Sequence, residues 1–191
     1  MSRGDARGSR PRLAFHRATR RLILLRHGKS AWPDDVEDLE RALAKRGRAA
    51  AKRMGRYLAA QDLVPDAVLV SPARRAQETW HFAKRHLDKR PLDTDPRIYE
   101  SAPETLLAVV RDTADHIRSL LIVGHNPGLQ EFAVQLTATG DIDVRERLRE
   151  KFPTSGLAIL DFALGSWSAL HPRSGRLERF VSPKTISAAT N

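Results

Sequence analysis

The sequence predicts an α/β fold in which helices cover both faces of a mainly parallel sheet, giving an α/β/α sandwich. Short aliphatic runs alternate with longer segments whose apolar residues recur at helical spacing. The connections between the runs are long enough for the helical crossovers that parallel strands require. With 191 residues, 41% of them hydrophobic, the chain is long enough for one domain with a substantial core.

The first predicted strand is the aliphatic run 22–25, which ends in Arg26, His27 and Gly28. In an open α/β sheet, ligands bind at the carboxyl edge of the strands. A neutral imidazole could attack phosphorus there while the adjacent guanidinium holds the phosphate oxygens, so the pair suggests phosphoryl chemistry. The alternative is a surface histidine in a basic turn, and the triplet alone does not decide between the two.

The next two elements are a helix and a second strand. Residues 31–41 are acidic and contain Pro33, which predicts a loop whose side chains lie near the end of the first strand. Residues 43–60 place small and apolar side chains at helical spacing among lysines and arginines, which predicts an amphipathic helix. A second buried strand is predicted at 67–70.

The second strand leads into a predicted helix with arginines in its first turn. Ser71 is a suitable N-cap and Pro72 fits the first helical positions. Arg74 and Arg75 follow, and a cation there opposes the helix dipole by about 0.3–1 kcal/mol unless an anion is bound. Adjacent helical residues cannot both face one pocket, and we interpret Arg74 as an arginine on a solvated face.

Residues 88–97 contain two prolines and predict a connection with a short strand near Leu92. Ser101 and Glu104 form a capping-box pattern around Pro103, which predicts another helix from that point. On this interpretation, Glu104 is most simply a capping carboxylate.

A further buried strand at 119–123 runs into Gly124, His125 and Asn126 before the next predicted helix. The arrangement repeats that of His27, with an apolar strand, a histidine at its carboxyl end and then a helix. Two such histidines can converge on one phosphate.

The last third of the chain is less regular. Residues 137–151 are polar and predict a partly helical insertion or lid. Segments 156–162 and 167–170 are predicted to form a hairpin at the sheet edge, with 176–186 packing onto the domain. We expect residues 185–191 to form a frayed tail.

The net charge of +10 is concentrated at the start of the chain, where residues 1–21 hold seven arginines and one aspartate. We therefore expect residues 1–20 to form a flexible Arg-rich arm and residues 21–184 to form the folded domain. The arm has no separate apolar segment typical of a secretory signal, so secretion is not expected. An Arg-rich, acid-poor leader could also be an organellar transit peptide, and a cytoplasmic protein is the preferred interpretation. No apolar run reaches the roughly 20 residues that a membrane helix needs, so no membrane partner is expected. Because the chain has no cysteine, a thiolate nucleophile and a zinc–thiolate site are excluded.

Taken in order, these motifs resemble those of the histidine phosphatase superfamily and, within it, the SixA-type phosphohistidine phosphatases. Residues 26–28 resemble the family's RHG motif, 71–79 its S-x-x-x-R-A-x-x-T pattern and 124–129 its second-histidine motif. Residues 29–47 are similar to the acidic loop that leads into R-P-L-x-x-R-G, with Ala42 in place of the proline. The resemblance covers roughly residues 21–184.

The resemblance implies a phosphoglycerate-mutase-like fold and a two-step displacement at phosphorus through a phosphohistidine intermediate on His27. Two arginines and one or two imidazoles would neutralise the phosphoryl charge, so no metal or other cofactor is required. A backbone carbonyl should determine the tautomer of His27. The site residues that the resemblance implies are the nucleophile His27 with His125, Arg26 and Arg75 in catalysis, and also Ser30 and Asn126 in substrate binding.

The general acid is where this sequence departs from the larger relatives. With Tyr99 aligned to the relatives' tyrosine, their carboxylate position falls at Pro96. Glu100 and Glu104 are nearby candidates, and neither matches the pattern. SixA-type members likewise lack an obvious acid, which suits a substrate whose imidazole leaves readily from phosphorus.

The sequence therefore predicts a phosphatase that acts on a histidine-phosphorylated protein and releases inorganic phosphate. One alternative is a phosphatase of a small phosphorylated metabolite, and mutase activity ranks below it because the acid is missing. Another alternative is a binding module that uses the pocket as an anion sensor or the basic arm to bind nucleic acid. A solubilising role for the arm is the simpler interpretation.

Overall fold

The protein is described by a computed structural model over residues 19–87 and 91–188. The strands in these ranges are β1 (Arg20–Arg26), β2 (Ala67–Val70), β3 (Leu92–Thr94), β4 (Ser119–Gly124), β5 (Thr137–Gly140), β6 (Leu157–Phe162) and β7 (Gly175–Val181). The α-helices are α1 (Lys45–Ala60), α2 (Arg74–Ala83), α3 (Pro103–Arg111), α4 (Gly128–Leu136), α5 (Ile142–Glu150) and α6 (Pro183–Ala188). Among these described segments, none is both long and apolar enough to serve as a membrane-crossing helix.

The strands form one sheet in the order β3-β2-β4-β1-β6-β7-β5. β6 runs antiparallel to both of its neighbours, and the other four strand pairings are parallel. Side chains along β1 enter opposite cores in turn, because successive residues of a strand point to opposite faces. Leu22 and Leu24 pack with residues of α3 and α4, whereas Ile23 and Leu25 pack with residues of α1 and α2. The predicted three-layer sandwich with a mainly parallel sheet is confirmed.

The carboxyl ends of β2, β4 and β1 meet at one edge of the sheet. Arg26 pairs with Gly124 at the end of the β1–β4 ladder, so the residues that follow, His27 and His125, leave the sheet side by side. The ladder continues past the strand, since the His27 N–H donates to the Gly124 carbonyl oxygen at 3.0 Å. At the end of β2, the Ser71 N–H donates to the carbonyl oxygen of Val123 at 3.1 Å.

The prediction that residues 167–170 form the second strand of a hairpin is wrong. β6 pairs with β7, and Trp167–Ala169 is a 3-10 turn. The cause is Trp167, whose ring is fully buried and whose Nε1 donates to the Ile117 carbonyl oxygen at 2.8 Å. The segment therefore enters the core on the α3 side and does not extend the sheet.

The predicted lid at 137–151 is also corrected. Its first part is β5, which pairs with β7 at the edge of the sheet, and its second part is α5, which buries Leu148 in the core. Pairing and burial hold both parts against the domain, so the segment belongs to the scaffold.

The two predicted serine caps are wrong. Both α2 and α3 begin after an alanine and have no side-chain cap. The Ser71 hydroxyl lies 2.6 Å from Nε2 of His125, and the Ser101 hydroxyl donates to the Ile98 carbonyl oxygen. The Ser71 hydroxyl also accepts from the Ala73 N–H at 3.3 Å, so Ser71 lies two residues before the N-cap position that the sequence assigned to it.

The predicted arm, residues 1–20, lies outside the described residues except for Thr19 and Arg20. Arg20 begins β1 and is only 1% exposed. Its guanidinium donates to the carbonyl oxygens of Ile117 and Gly165. These bonds give two of its guanidinium N–H groups a buried acceptor, so Arg20, which the sequence analysis placed in the arm, is part of the sheet.

The predicted frayed tail is helical over its first four residues, and residues 189–191 lie outside the described residues. The Thr185 hydroxyl accepts from the Ser182 N–H at 2.8 Å at the start of α6, and Ile186 packs against the core cluster on the α1 side. This turn-forming bond and the apolar contact extend the ordered chain beyond 184.

Because α1 and α2 lie in close contact, we expect that replacing Gly55 of α1 with alanine destabilises the protein. A Cβ atom on Gly55 would lie 2.0 Å from the Ala83 carbonyl oxygen, so Gly55→Ala must push the two helices apart. We expect the free energy of unfolding to fall by about 1–3 kcal/mol, although glycine-to-alanine changes usually stabilise helices. Urea denaturation measures the change. Gly165→Ala is the control, since its Cβ would meet nothing within 4 Å; equal stabilities of the two variants would contradict the prediction.

Candidate active site

A cavity of about 160 Å³ opens at the carboxyl edge of the sheet. Its walls come from the ends of β1 and β4, the start of α2, the loop after β1 and the segment before β6. The residues that line it include Arg26, His27, Ser30, Arg75, His125 and Asn126. All six residues that the sequence selected thus border one cavity, which is small enough to suit a tetrahedral anion.

His27 is held as a neutral imidazole with a defined tautomer. Its Nδ1 lies 2.7 Å from the Gly28 carbonyl oxygen, which can only accept, so Nδ1 carries the proton and Nε2 carries the lone pair. Burial lowers the pKa of His27 from the ordinary 6.5 to about 4, although the carbonyl contact works the other way. The charges of Arg75 and Arg26 add to the lowering. An uncharged nucleophilic nitrogen is therefore present at neutral pH.

His125 lies beside His27, with 5.0 Å between the ring centroids. Its Nε2 is 2.6 Å from the Ser71 hydroxyl oxygen, whereas its buried Nδ1 has no hydrogen-bond partner among the described residues. The pKa of His125 is lowered to about 3, mainly by burial and in addition by His27 and Arg75. An anion bound beside the rings would oppose both effects, because negative charge favours the protonated imidazole.

The two predicted phosphate-binding arginines are held by oxygen acceptors. Arg26 donates from one terminal nitrogen to the Phe152 carbonyl oxygen at 2.7 Å, and burial lowers its pKa. Arg75 is 5% exposed and donates to both the carbonyl and the carboxylate of Asp38. Arg74 instead faces solvent and pairs with Glu78 at 3.0 Å. The two neighbouring arginines therefore face in different directions, as helical geometry requires.

Ser30 and Asn126 border the cavity in different ways. The Ser30 hydroxyl accepts from Arg41 at 2.6 Å. Asn126 donates from Nδ2 to Gln130 and Phe152, and its buried Oδ1 has no hydrogen-bond partner within the described part of the chain.

The two carboxylates considered as general acids occupy different places. Glu100 lines the cavity, is exposed and has a positive φ of 47°. Glu104 lies exposed in the first turn of α3 and is not among the cavity residues. Pro96 is also outside the cavity lining.

The sequence did not identify Asp38, Arg41 and Tyr99, which surround Arg75. Asp38 accepts from Arg75, Arg41 and the Tyr99 hydroxyl at 2.6–2.8 Å. Partial burial would raise the pKa of Asp38, but bonds from Tyr99, Arg75 and Arg41 hold it well below the usual range. The one indication in the sequence was the spacing of Asp38 and Arg41, which lie three residues apart in the acidic loop and can form an ion pair.

The comparisons with known proteins agree with this arrangement. Residues 22–106 match the family model of the histidine phosphatase superfamily, branch 1. An uncharacterised protein of Mycobacterium tuberculosis is 39% identical over 162 residues, covering 84% of this chain and all of that protein. A phosphoglycerate mutase of Bifidobacterium longum, dependent on 2,3-bisphosphoglycerate, is 37% identical over 43% of this chain and 35% of its own length.

Solved structures show the same fold. A candidate phosphohistidine phosphatase SixA from Agrobacterium tumefaciens is 28% identical, with a TM-score of 0.72 over 86% of this chain and 98% of that chain. The protein histidine phosphatase SixA in complex with tungstate has a TM-score of 0.71 at 22% identity, over 87% of this chain and 99% of that chain. The family supports a phosphatase activity. From its sequence motifs and its fold, the chain belongs to the histidine phosphatase superfamily and is of the SixA type.

Proposed function

We propose that this protein is a phosphohistidine phosphatase that forms a phosphohistidine intermediate on His27 and acts on a histidine-phosphorylated protein. The observation that carries the proposal is the pairing of two neutral imidazoles, 5.0 Å apart, with Arg26 and Arg75 at one small cavity. The related SixA protein in complex with tungstate, a tetrahedral oxyanion, supports an anion of this shape as the occupant.

The first step is attack by the Nε2 lone pair of His27 on phosphorus. A bond forms between Nε2 and phosphorus, and the bond from phosphorus to the leaving nitrogen breaks with its electron pair going to that nitrogen. Arg26, Arg75 and His125 stabilise the charge on the phosphoryl oxygens. Water then attacks phosphorus and forms an oxygen–phosphorus bond while the bond from phosphorus to Nε2 breaks. The electron pair returns to Nε2, so His27 is neutral again, and the protons of the water leave with the inorganic phosphate. The arginines supply the positive charge, so the mechanism is metal-independent.

The carboxylates around the cavity favour a phosphohistidine substrate over an alkyl ester. Asp38 is held as an anion by its donors, and Glu100 lies exposed at the rim. A phosphorylated imidazole that carries a proton on its other nitrogen leaves as neutral imidazole and needs no acid. An alkoxide does need a proton at the moment of departure.

Replacing the nucleophile tests the catalytic assignment. We expect His27→Ala to lower kcat/KM for an activated aryl phosphate by about a thousandfold or more, because the variant lacks the nitrogen that forms the covalent intermediate. Wild-type protein should also acquire an acid-labile phosphoryl label that the variant lacks.

The matched control for this experiment is His171→Ala, which removes an exposed imidazole outside the cavity. If His27→Ala were as active as His171→Ala, the assignment of His27 as the nucleophile would be wrong. Wild-type protein that binds phosphate but turns over no substrate would favour the anion-binding module.

The choice of substrate is tested by varying the leaving group. A phosphohistidine protein, an aryl phosphate and phosphoserine form a series in which the need for a general acid rises. We expect kcat/KM for phosphohistidine to exceed that for phosphoserine by at least about a hundredfold, since a positioned acid contributes about 10²–10⁴. Equal turnover of phosphoserine and phosphohistidine would contradict the assignment and favour a metabolite phosphatase.

The low pKa values of the two histidines predict how they titrate. Each is neutral above its pKa, so His27 should take up a proton only as the pH falls through about 4 and His125 only near 3. The reactive form of the nucleophile then persists across about pH 5–8. Ring ¹⁵N shifts, assigned with His27→Ala and His125→Ala, measure this directly. Midpoints near 6.5 for both rings would show that burial does not control them.

A further inference from the structure

Asp38 receives four hydrogen bonds from three side chains. Oδ2 accepts from Arg75 at 2.8 Å and from the Tyr99 hydroxyl at 2.7 Å, and Oδ1 accepts from Arg41 at 2.6 Å. The backbone carbonyl of Asp38 accepts from the other terminal nitrogen of Arg75. Both terminal nitrogens of Arg75 thus donate to Asp38, and this two-point contact restricts rotation of the guanidinium.

Arg41 is held on the other side of the same carboxylate. It is 6% exposed, and its Nε donates to the Ala31 carbonyl oxygen while its remaining terminal nitrogen donates to Ser30. The Trp32 ring covers the guanidinium, with 3.2 Å from the guanidinium carbon to the ring centroid. Each terminal nitrogen carries two N–H groups, so these contacts leave one on each for a ligand.

The positions of the three groups relative to the cavity differ. Arg75 and Arg41 line the cavity, whereas Asp38 is not among the lining residues. The carboxylate therefore lies behind the two guanidiniums and does not occupy the space of a bound anion. The donors around Asp38 stabilise its ionised form, which has no proton to give to a leaving group.

Tyr99 connects the carboxylate to the second histidine. Its hydroxyl donates to Asp38, and its ring meets His125 edge-on, with centroids 5.5 Å apart and an interplanar angle of 87°. Movement of Asp38 would consequently disturb Arg75, Arg41 and the packing of His125 together.

We propose that Arg41 is a third guanidinium that binds the phosphoryl oxygens and that Asp38 is the positioning residue that holds Arg41 and Arg75 against the cavity. The inference rests on the proposed function in one respect, namely that the cavity binds a phosphoryl group. It assigns the loop after β1 a part in substrate binding in addition to its structural role.

The test measures binding of inorganic phosphate and of vanadate by calorimetry, together with kcat and KM for an aryl phosphate. We expect Asp38→Ala to weaken phosphate binding and raise KM by about 10–100-fold, and Arg41→Ala to do so by about tenfold or more. Asp38→Asn keeps one acceptor oxygen and should fall between Asp38→Ala and wild type. Glu40→Gln is the matched control, since Glu40 is exposed in the same 3-10 turn and is not a cavity residue.

Each other outcome overturns the inference in a different way. Tighter phosphate binding in Asp38→Ala would make Asp38 a competitor for Arg75. If Asp38→Ala or Arg41→Ala bound phosphate as tightly as wild type, the residue replaced would have no part in phosphate binding. A loss confined to poor leaving groups, with phosphate binding intact, would make Asp38 a proton donor.

Two further readouts keep folding and function apart. If circular dichroism shows that the alanine variants do not fold, Asp38→Asn and Arg41→Lys replace them. Weakened phosphate binding is again the expected result. Wild-type protein that binds phosphate but hydrolyses nothing would refute the proposed phosphatase and leave the positioning inference to be judged by the binding series. Wild-type protein that binds neither phosphate nor vanadate would overturn both.

Discussion

The hydrogen-bond ladder between β1 and β4 extends one residue beyond the strands, and the position of the candidate site depends on it. Parallel neighbours lie about 4.8 Å apart, and the paired residues Arg26 and Gly124 set the register at the strand ends. The histidines that follow leave the sheet at this spacing, which is close to the 5.0 Å between their rings. β2 adds Ser71 and the start of α2 at the same edge, so the sheet itself brings three separate parts of the chain together.

This placement makes a site that is rich in positive charge yet keeps its imidazoles neutral. Burial and nearby guanidiniums both disfavour a proton on His27 and His125. The arginines themselves are held by acceptors, a carbonyl for Arg26 and Asp38 for Arg75. Donors that are already oriented need little reorganisation when charge develops on a ligand, which is the condition for electrostatic stabilisation of a transition state.

Close backbone contacts hold the irregular segments of the site in place. The Gly28 N–H donates to the Thr79 hydroxyl at 2.9 Å, which ties the turn after His27 to α2. A Cβ on Gly47 would lie 2.2 Å from the Lys29 carbonyl oxygen, so only glycine allows α1 to approach that turn. The small residues of α1 thus allow close contacts with the turn after His27, through Gly47, and with α2, through Gly55, as well as with the sheet.

Local pattern determined the strand ends, the alternation of helices and strands, and the pair of histidines, because each depends on a few consecutive residues. The helical period required Arg74 and Arg75 to face different directions, and the resemblance to the family's S-x-x-x-R-A-x-x-T pattern selected Arg75. Tertiary contacts decided the rest. The burial of Trp167 replaced a predicted strand, the Ser71 hydroxyl came within 2.6 Å of His125 Nε2, and Asp38 met Arg75 and Tyr99 across 37 and 61 residues of sequence. Such partners are chosen by which groups the packed sheet and helices bring together, and no periodicity within the chain records that choice.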